Sequence, residues 1–226
     1  MTAHSQYPPI RTYKPRRGRI TNRQVRGLTT QSPYLLSPHA LMDLDALFDG
    51  RPVVLEIGFG TGITTAQMAA QEPEIGLLAV DVHTPGVGDL VSRIHEEGLT
   101  NIRVISGDAI HVLEHNLGPG SLAGVRSFFP DPWPKIRHQK RRLVQVGRAR
   151  LIANRVRVGG TWDLATDWAP YAGHIEATLG ACPEWRGGRV ERPQWRPITK
   201  YESLGLEQGR QIADFRYGRT DIADTL

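Results

Sequence analysis

Apolar positions along this chain change period several times, and the changes mark an alternation of strands and helices. The first ~35 residues carry no apolar period and are rich in Pro, Arg, Thr and Ser, which predicts an arm, mobile without a partner. A short helix is predicted over 38–48, where Leu41, Leu44, Leu47 and Phe48 share one side. Val53-Val54-Leu55-Glu56-Ile57 is a short apolar run ending at Gly58, the pattern of a buried strand. A helix is predicted from Thr61 or Gly62 to Ala70, a strand over 77–82, a helix over 88–97 and a strand over 102–106. Further strands are predicted over 125–129, 160–166 and 208–218, with helices over 138–156 and 170–179.

Strands separated by helices of this length predict an α/β fold, a mainly parallel sheet covered on both faces. The predicted organisation is a basic arm over 1–37 and a single domain over 38–226. Ligands on such sheets bind beyond the carboxyl ends of the strands, near the point where strand order reverses.

Composition narrows the class. At 226 residues, 39% hydrophobic and 23% charged, the chain can bury a full core. Its single cysteine, Cys182, rules out an intramolecular disulfide, and no Cys/His cluster has zinc spacing, so no metal is expected. No apolar run approaches the roughly 18 residues of a membrane span, which predicts a soluble, cytoplasmic protein without membrane attachment.

Charge placement says more than the net value of +5. Residues 1–42 hold seven Lys/Arg and no acid, and residues 132–162 hold nine and no acid. Those stretches contain sixteen of 28 basic residues, so the remainder has 12 basic against 23 acidic residues. Solvated basic faces would give such runs, but two of them in one chain favour a polyanionic partner, nucleic acid.

The second basic stretch follows the most informative segment. Prolines at 130, 132 and 134 fix φ at alternate positions and remove donors, so Phe128–Pro134 predicts an ordered loop presenting Asp131 and Trp133. Trp133 either stacks on a base or packs locally. Lys135, Arg137, Lys140, Arg141 and Arg142 come next, and phosphate contact is the expected use of such cations.

Glu56-Ile57-Gly58-Phe59-Gly60-Thr61-Gly62 is a glycine turn from the first buried strand into a helix. Its spacing differs from the dinucleotide fingerprint, and an acid precedes the first glycine. A carboxylate there repels a pyrophosphate but attracts the cationic amino-acid end of S-adenosylmethionine. Asp81 ends the next strand, where a carboxylate accepts ribose hydroxyls. Asp108 ends the one after, where it either accepts an adenine amine or caps a helix. Thr166-Asp167-Trp168 repeats the acid-plus-aromatic theme at a later strand end, and Thr199-Lys200-Tyr201-Glu202 lies in a segment read as a polar loop.

Together these segments resemble the bacterial tRNA (guanine-N7)-methyltransferases. The residues that carry the resemblance are Glu56–Gly62, Asp81-Val82-His83 with Pro85-Gly86-Val87-Gly88, Phe129–Trp133 with Arg137-His138-Gln139-Lys140-Arg141-Arg142, Thr166–Trp168 and Thr199–Glu202. It runs from about Arg16 to Arg219. It implies a class I, Rossmann-like methyltransferase sheet, seven-stranded and mostly parallel with one antiparallel strand. It implies S-adenosylmethionine as donor, tRNA as partner and N7 of a variable-loop guanine as acceptor. It makes Glu56, Gly58, Gly60, Asp81, Asp108 and Asp131 the cofactor-contacting set, with Asp131 also catalytic. Lys135, Asp167, Thr199, Lys200, Tyr201 and Glu202 would contact the substrate, and Arg137, His138, Gln139, Lys140, Arg141 and Arg142 the RNA. Asp81 stands where glutamate is more usual. An enzyme acting on another RNA base, and a non-catalytic tRNA-binding protein on the same fold, are the competing readings.

Overall fold

The computed structural model of this chain describes residues 11–13, 20–29, 32–37 and 39–221. Helix α1 (Asn22–Thr29) is followed by a two-residue strand β1 (Leu35–Leu36) and a short helix α2 (Leu44–Phe48). The central units are β2 (Val53–Ile57), α3 (Ile63–Gln71), β3 (Gly76–Asp81), α4 (Thr84–Glu97), β4 (Ile102–Ser106), α5 (Ala109–His115) and β5 (Leu122–Phe128). A 3-10 turn (Ile136–Arg141) leads into α6 (Val146–Arg155), β6 (Val156–Thr166), α7 (Ala169–Gly180), β7 (Trp185–Val190), α8 (Lys200–Glu207) and β8 (Ala213–Arg219).

The strands form one sheet in the order β1-β4-β3-β2-β5-β6-β8-β7, with β8 antiparallel to both neighbours. The expected class therefore holds, with eight strands in place of seven. The extra one is the short edge strand β1, whose Leu35 and Leu36 pair with Val104 and Ile105. Strand order reverses at β2, which lies between β3 and β5, so the crevice beyond its carboxyl end is where the fold places a ligand.

Burial explains the strand pattern. Because side chains alternate along a strand, β2 and β3 send Val54, Leu77 and Ala79 to the face covered by α3 and α4. They send Leu55, Leu78 and Val80 to the face shared with Val125, Ile152 and Leu164. Both faces being covered, these strands read as continuous apolar runs.

The N-terminal stretch departs from the expected arm. Its residues Arg16, Arg17 and Arg19 lie outside the described residues, as does Pro38, where the α2 prediction began. Within the same stretch, however, α1 sits against α4. Backbones there approach so closely that a Cβ on Gly27 would fall 2.0 Å from the Gly88 carbonyl oxygen, and one on Gly88 would fall 2.2 Å from that of Gln24. Arg23 pairs with Asp89 at 3.0 Å and Glu96 at 2.8 Å. A two-glycine contact leaves no apolar period, which is why the sequence pattern does not reveal it.

Three other differences bear on the site. The helix expected over 138–156 is broken. The 3-10 turn ends at Arg141, Arg142 to Gln145 are extended, and α6 begins at Val146. The extended stretch lets Leu143 and Val144 enter the core, where the Val144 amide donates to the Tyr171 hydroxyl. Residues 196–202 were expected as a polar loop, but Lys200 to Glu202 begin α8, opened by a capping box in which Thr199 Oγ1 accepts from the Glu202 amide at 3.1 Å. α5 and β7 were not anticipated, and α4 starts at Thr84, four residues before the expected 88, with Pro85 in its first turn.

Candidate functional site

The carboxyl ends of β2, β3 and β5 open onto a cavity of about 410 Å³. It is lined by Glu56 to Gly60, Asp81 to His83, Phe128 to Asp131 and Ile198 to Tyr201. Thr12 and Tyr13 complete the lining from the N-terminal segment.

The glycine turn is shaped by backbone demands. Gly58, Gly60 and Gly62 have φ of 82°, 64° and 73°, a region costly for any residue with a Cβ. The turn is tied to the neighbouring strand, since the Gly58 amide donates to the Val80 carbonyl at 2.9 Å and the Gly60 amide to Asp81 Oδ2 at 2.7 Å. Asp81 Oδ1 accepts from the His83 amide at 2.8 Å. Each oxygen of Asp81 thus takes one fixed backbone donor, which sets the orientation of the carboxylate and leaves lone pairs for a diol.

Glu56 is the most perturbed acid in the cavity. It is 3% exposed, and burial pushes its carboxyl up from 4.5 to about 7, against the pull of the Thr65 hydroxyl and then of the Arg126 charge. Its Oε2 is buried and accepts no hydrogen bond from the protein, and His83 Nδ1 is similarly unmatched. Glu56 lines the cavity, and a buried carboxyl with an unmet oxygen favours a ligand that brings a cation with N–H donors. The α-ammonium of S-adenosylmethionine meets that need, and the paired ribose hydroxyls suit Asp81, so the residues fit this cofactor.

Asp131 lies on a constrained loop. Phe129 and Trp133, two residues to either side, have φ of 53° and 44°, and prolines occupy 130, 132 and 134. Left-handed backbone at non-glycine residues costs on the order of 1–2 kcal/mol each and persists where surrounding contacts enforce it. Those contacts are visible. The Phe129 amide donates to the Ala165 carbonyl at 2.8 Å, Trp133 is 3% exposed, and Arg142 Nε donates to the Pro132 carbonyl at 2.8 Å.

Trp133 is therefore a packing residue, and base stacking is not open to it. Its Nε1 donates to the Thr12 carbonyl at 3.0 Å, His138 meets it edge-on, and the Arg141 guanidinium covers its ring. The basic run divides by the same geometry. In a 3-10 turn residues three apart share a face. Arg137 and Lys140 are exposed on one face, with Lys135 exposed just before them, while His138 and Arg141 turn inward onto Trp133. Arg142 is 3% exposed under Tyr171, and burial lowers its guanidinium pKa. Gln139 uses its carbonyl for the Arg142 amide and Gln145 Nε2. Of the six residues expected to face RNA, Arg137 and Lys140 are exposed, while His138, Arg141 and Arg142 make contacts within the protein, and Arg141 with Trp133 holds residues 11–13.

Of the expected site residues, Glu56, Gly58, Gly60, Asp81, Asp131, Thr199, Lys200 and Tyr201 come together around the cavity. Four do not line it. Asp108 caps α5, accepting from the Ile110 amide at 2.9 Å, beside a separate hollow of about 260 Å³. Asp167 pairs with Arg210 at 2.6 Å. Glu202 is 2% exposed, with both oxygens held by Arg196. Lys135 is exposed outside it. Thr12, Tyr13 and His83 were not anticipated as site residues. The first two lie in a segment without period, where no sequence signal marks them. Among the described residues, no group of His, Cys, Asp or Glu could hold a metal ion, and no helix is long and apolar enough to cross a membrane.

Comparison with known proteins agrees with this geometry. A family described as "Putative methyltransferase" matches residues 50–215. A tRNA (guanine-N(7)-)-methyltransferase of Streptomyces avermitilis is 47% identical over 95% of this chain and 77% of its own. One of Nitrosospira multiformis is 45% identical over 95% of this chain and 96% of its own. The solved structure of the 16S rRNA methyltransferase KamB superposes with a TM-score of 0.60 over 81% of this chain and 96% of that one, at 16% identity, a likeness of fold.

Proposed function

This chain belongs to the family of tRNA (guanine-N7)-methyltransferases, and on that premise we propose how its cavity performs the reaction. The chain transfers a methyl group from S-adenosylmethionine to N7 of guanine in tRNA, and the acceptor proposed here is a variable-loop guanine. The observation that carries the reading is the gathering of three acids, the buried Glu56 with Asp81 and Asp131, around one cavity.

When bound, the cofactor supplies a methyl group made electrophilic by an adjacent sulfonium. Glu56 would hold the ammonium end and Asp81 the ribose, while the glycine turn lets backbone approach without side-chain interference. Guanine N7 carries an exposed lone pair and no proton at neutral pH, so the nucleophile needs no base. The ring becomes cationic as the new bond forms. A fixed carboxylate at Asp131 stabilises that charge and orients the base, so positioning and electrostatics supply the rate. Thr199, Lys200 and Tyr201 line the same cavity as Asp131, and Arg137, Lys140 and Lys135 offer cations to tRNA phosphates.

Incubation with labelled cofactor and unmodified tRNA, followed by nucleoside digestion, tests the reading. Label in 7-methylguanosine is expected. Label in another nucleoside, or none, would overturn it.

A further inference from the structure

Arg196 opens the segment read from sequence as a polar loop, with no role assigned to it, yet it is the most enclosed cation described, at 1% exposure between β7 and α8. Its guanidinium bridges two buried acids. Nε and Nη2 donate to Asp214 on β8 at 2.8 and 3.1 Å. Nη1 and Nη2 donate to Glu202 in α8 at 2.6 and 3.1 Å. Arg192 adds a second cation, 3.9 Å from Glu202, and donates to the Arg196 carbonyl at 2.5 Å, so two cations face two acids. The same guanidinium lies 5.5 and 5.8 Å from the rings of Phe128 and Phe129.

Each piece that Arg196 joins ends at the cavity. Glu202 closes the capping box that begins α8, and Thr199, Lys200 and Tyr201 of that start line the cavity. Phe128 and Phe129 lead directly into Pro130 and Asp131, and all four line it. Asp214 anchors the assembly to the sheet. Trp195, the preceding residue, is held 4.1 Å from the buried Arg126, which fixes the loop a second time. A buried ion pair is poor evidence of stability, because apolar residues of equal volume commonly serve as well. A planar fork with bidentate reach sets angle and distance between the groups it joins.

We propose that Arg196 is a positioning residue for methyl transfer: it sets the α8 wall, Thr199 to Tyr201, in register with the Asp131 loop. The proposal rests on the functional reading above. Arg196 touches neither reactant. It acts through Glu202 on one wall and through the two phenyl rings on the other, so its loss affects alignment of the base while the Glu56 and Asp81 pocket stays intact.

The test compares wild type with Arg196→Lys and with a triple variant, Arg196→Met, Glu202→Gln and Asp214→Asn, which removes the network's charges and keeps its volume. Cofactor affinity by calorimetry, tRNA affinity, and the single-turnover methylation rate are measured on each. For both variants, cofactor and tRNA affinities within about threefold of wild type are expected, with the rate down by about thirtyfold or more. A rate within about threefold of wild type in any folded variant overturns the proposal. So does a loss of cofactor affinity that matches the loss of rate, because that pattern marks a general fold anchor. A wild-type protein that leaves tRNA unmethylated overturns the functional reading instead, which keeps the two failures apart.

Discussion

The Arg141 guanidinium lies 3.8 Å from the centre of the Trp133 ring, and the pair clasps the backbone of residues 11–13. Arg141 Nε donates to the Arg11 carbonyl and Nη2 to that of Tyr13, both at 3.0 Å, while Trp133 Nε1 takes the intervening carbonyl of Thr12. Three successive carbonyls are captured, and Thr12 and Tyr13 are thereby held against the cavity that contains Asp131.

A division of labour among the cations follows. Arg137 and Lys140 are exposed, whereas Arg141 has its donors committed to backbone. Replacing Arg137 and Lys140 together with alanine should weaken tRNA binding and flatten the plot of log Kd against log salt by about 1.5, close to two phosphate contacts. Arg141→Ala should leave that slope within about 0.3 of wild type and lower turnover through loss of the clasp. Equal flattening by Arg141→Ala would return that residue to the phosphate-contacting set.

Glu56 makes both stability and cofactor binding depend on pH. Its folded carboxyl titrates at about 7 and its ordinary value is 4.5, so the folded state holds a proton over that window which the unfolded state has released. The contribution of Glu56 to stability is therefore fully present below 4.5 and is lost as pH rises to about 7. Binding a cation has the opposite dependence, because it requires the ionised form. Cofactor affinity should tighten about tenfold between about pH 5.5 and pH 7, a range in which an α-amino group stays protonated. Glu56→Gln should bind weakly at every pH and lose the dependence. Calorimetric titrations across that range check it, and a sloped profile in the variant would assign the titration elsewhere.

Asp131 should separate binding from chemistry. Asp131→Ala should lower the methylation rate by about two to three orders of magnitude, the range seen when a preorganised electrostatic partner is removed, with cofactor binding still measurable. Asp131→Asn keeps shape and hydrogen bonding but not charge, so it should retain part of the rate. Turnover equal to wild type in the alanine variant would remove Asp131 from the reaction centre.

The sheet was legible because buried parallel strands are written as apolar runs, and the strand-end acids because the fold rule says where to look. The capping box of α8 was legible too, since Thr199 and Glu202 have the right types and spacing; the functional resemblance drew both into the substrate set. Arg141 and Arg142 were assigned outward roles on residue type and Glu202 by the resemblance, and all three turn inward, while Trp133, left open between stacking and packing, packs. A cation in sequence carries no mark of whether a carbonyl or a phosphate will meet it. The Thr12 and Tyr13 contribution, and that of Arg196, depend on contacts 121 residues apart in one case and on a single buried side chain in the other. Neither has a period or a spacing to read.

Gly86 provides a last test of how the cofactor turn is supported. It lies in the first turn of α4, and a Cβ there would fall 1.7 Å from the Gly60 carbonyl oxygen. No rotamer relieves a clash between Cβ and backbone, so Gly86→Ala must displace either the start of α4 or the turn that includes Gly60. The Gly60 amide also orients Asp81, and its displacement therefore disturbs the ribose site as well. Gly86→Ala should cost about 1–3 kcal/mol of stability, as overpacking does, and weaken cofactor binding about tenfold or more. Gly147, inside α6 with no atom within 4 Å of an added Cβ, is the control. Gly147→Ala should be neutral or stabilising by up to about 1 kcal/mol and leave cofactor affinity unchanged. Thermal unfolding and calorimetry measure both, and a Gly86→Ala protein with wild-type cofactor affinity would show that the turn is held independently of α4.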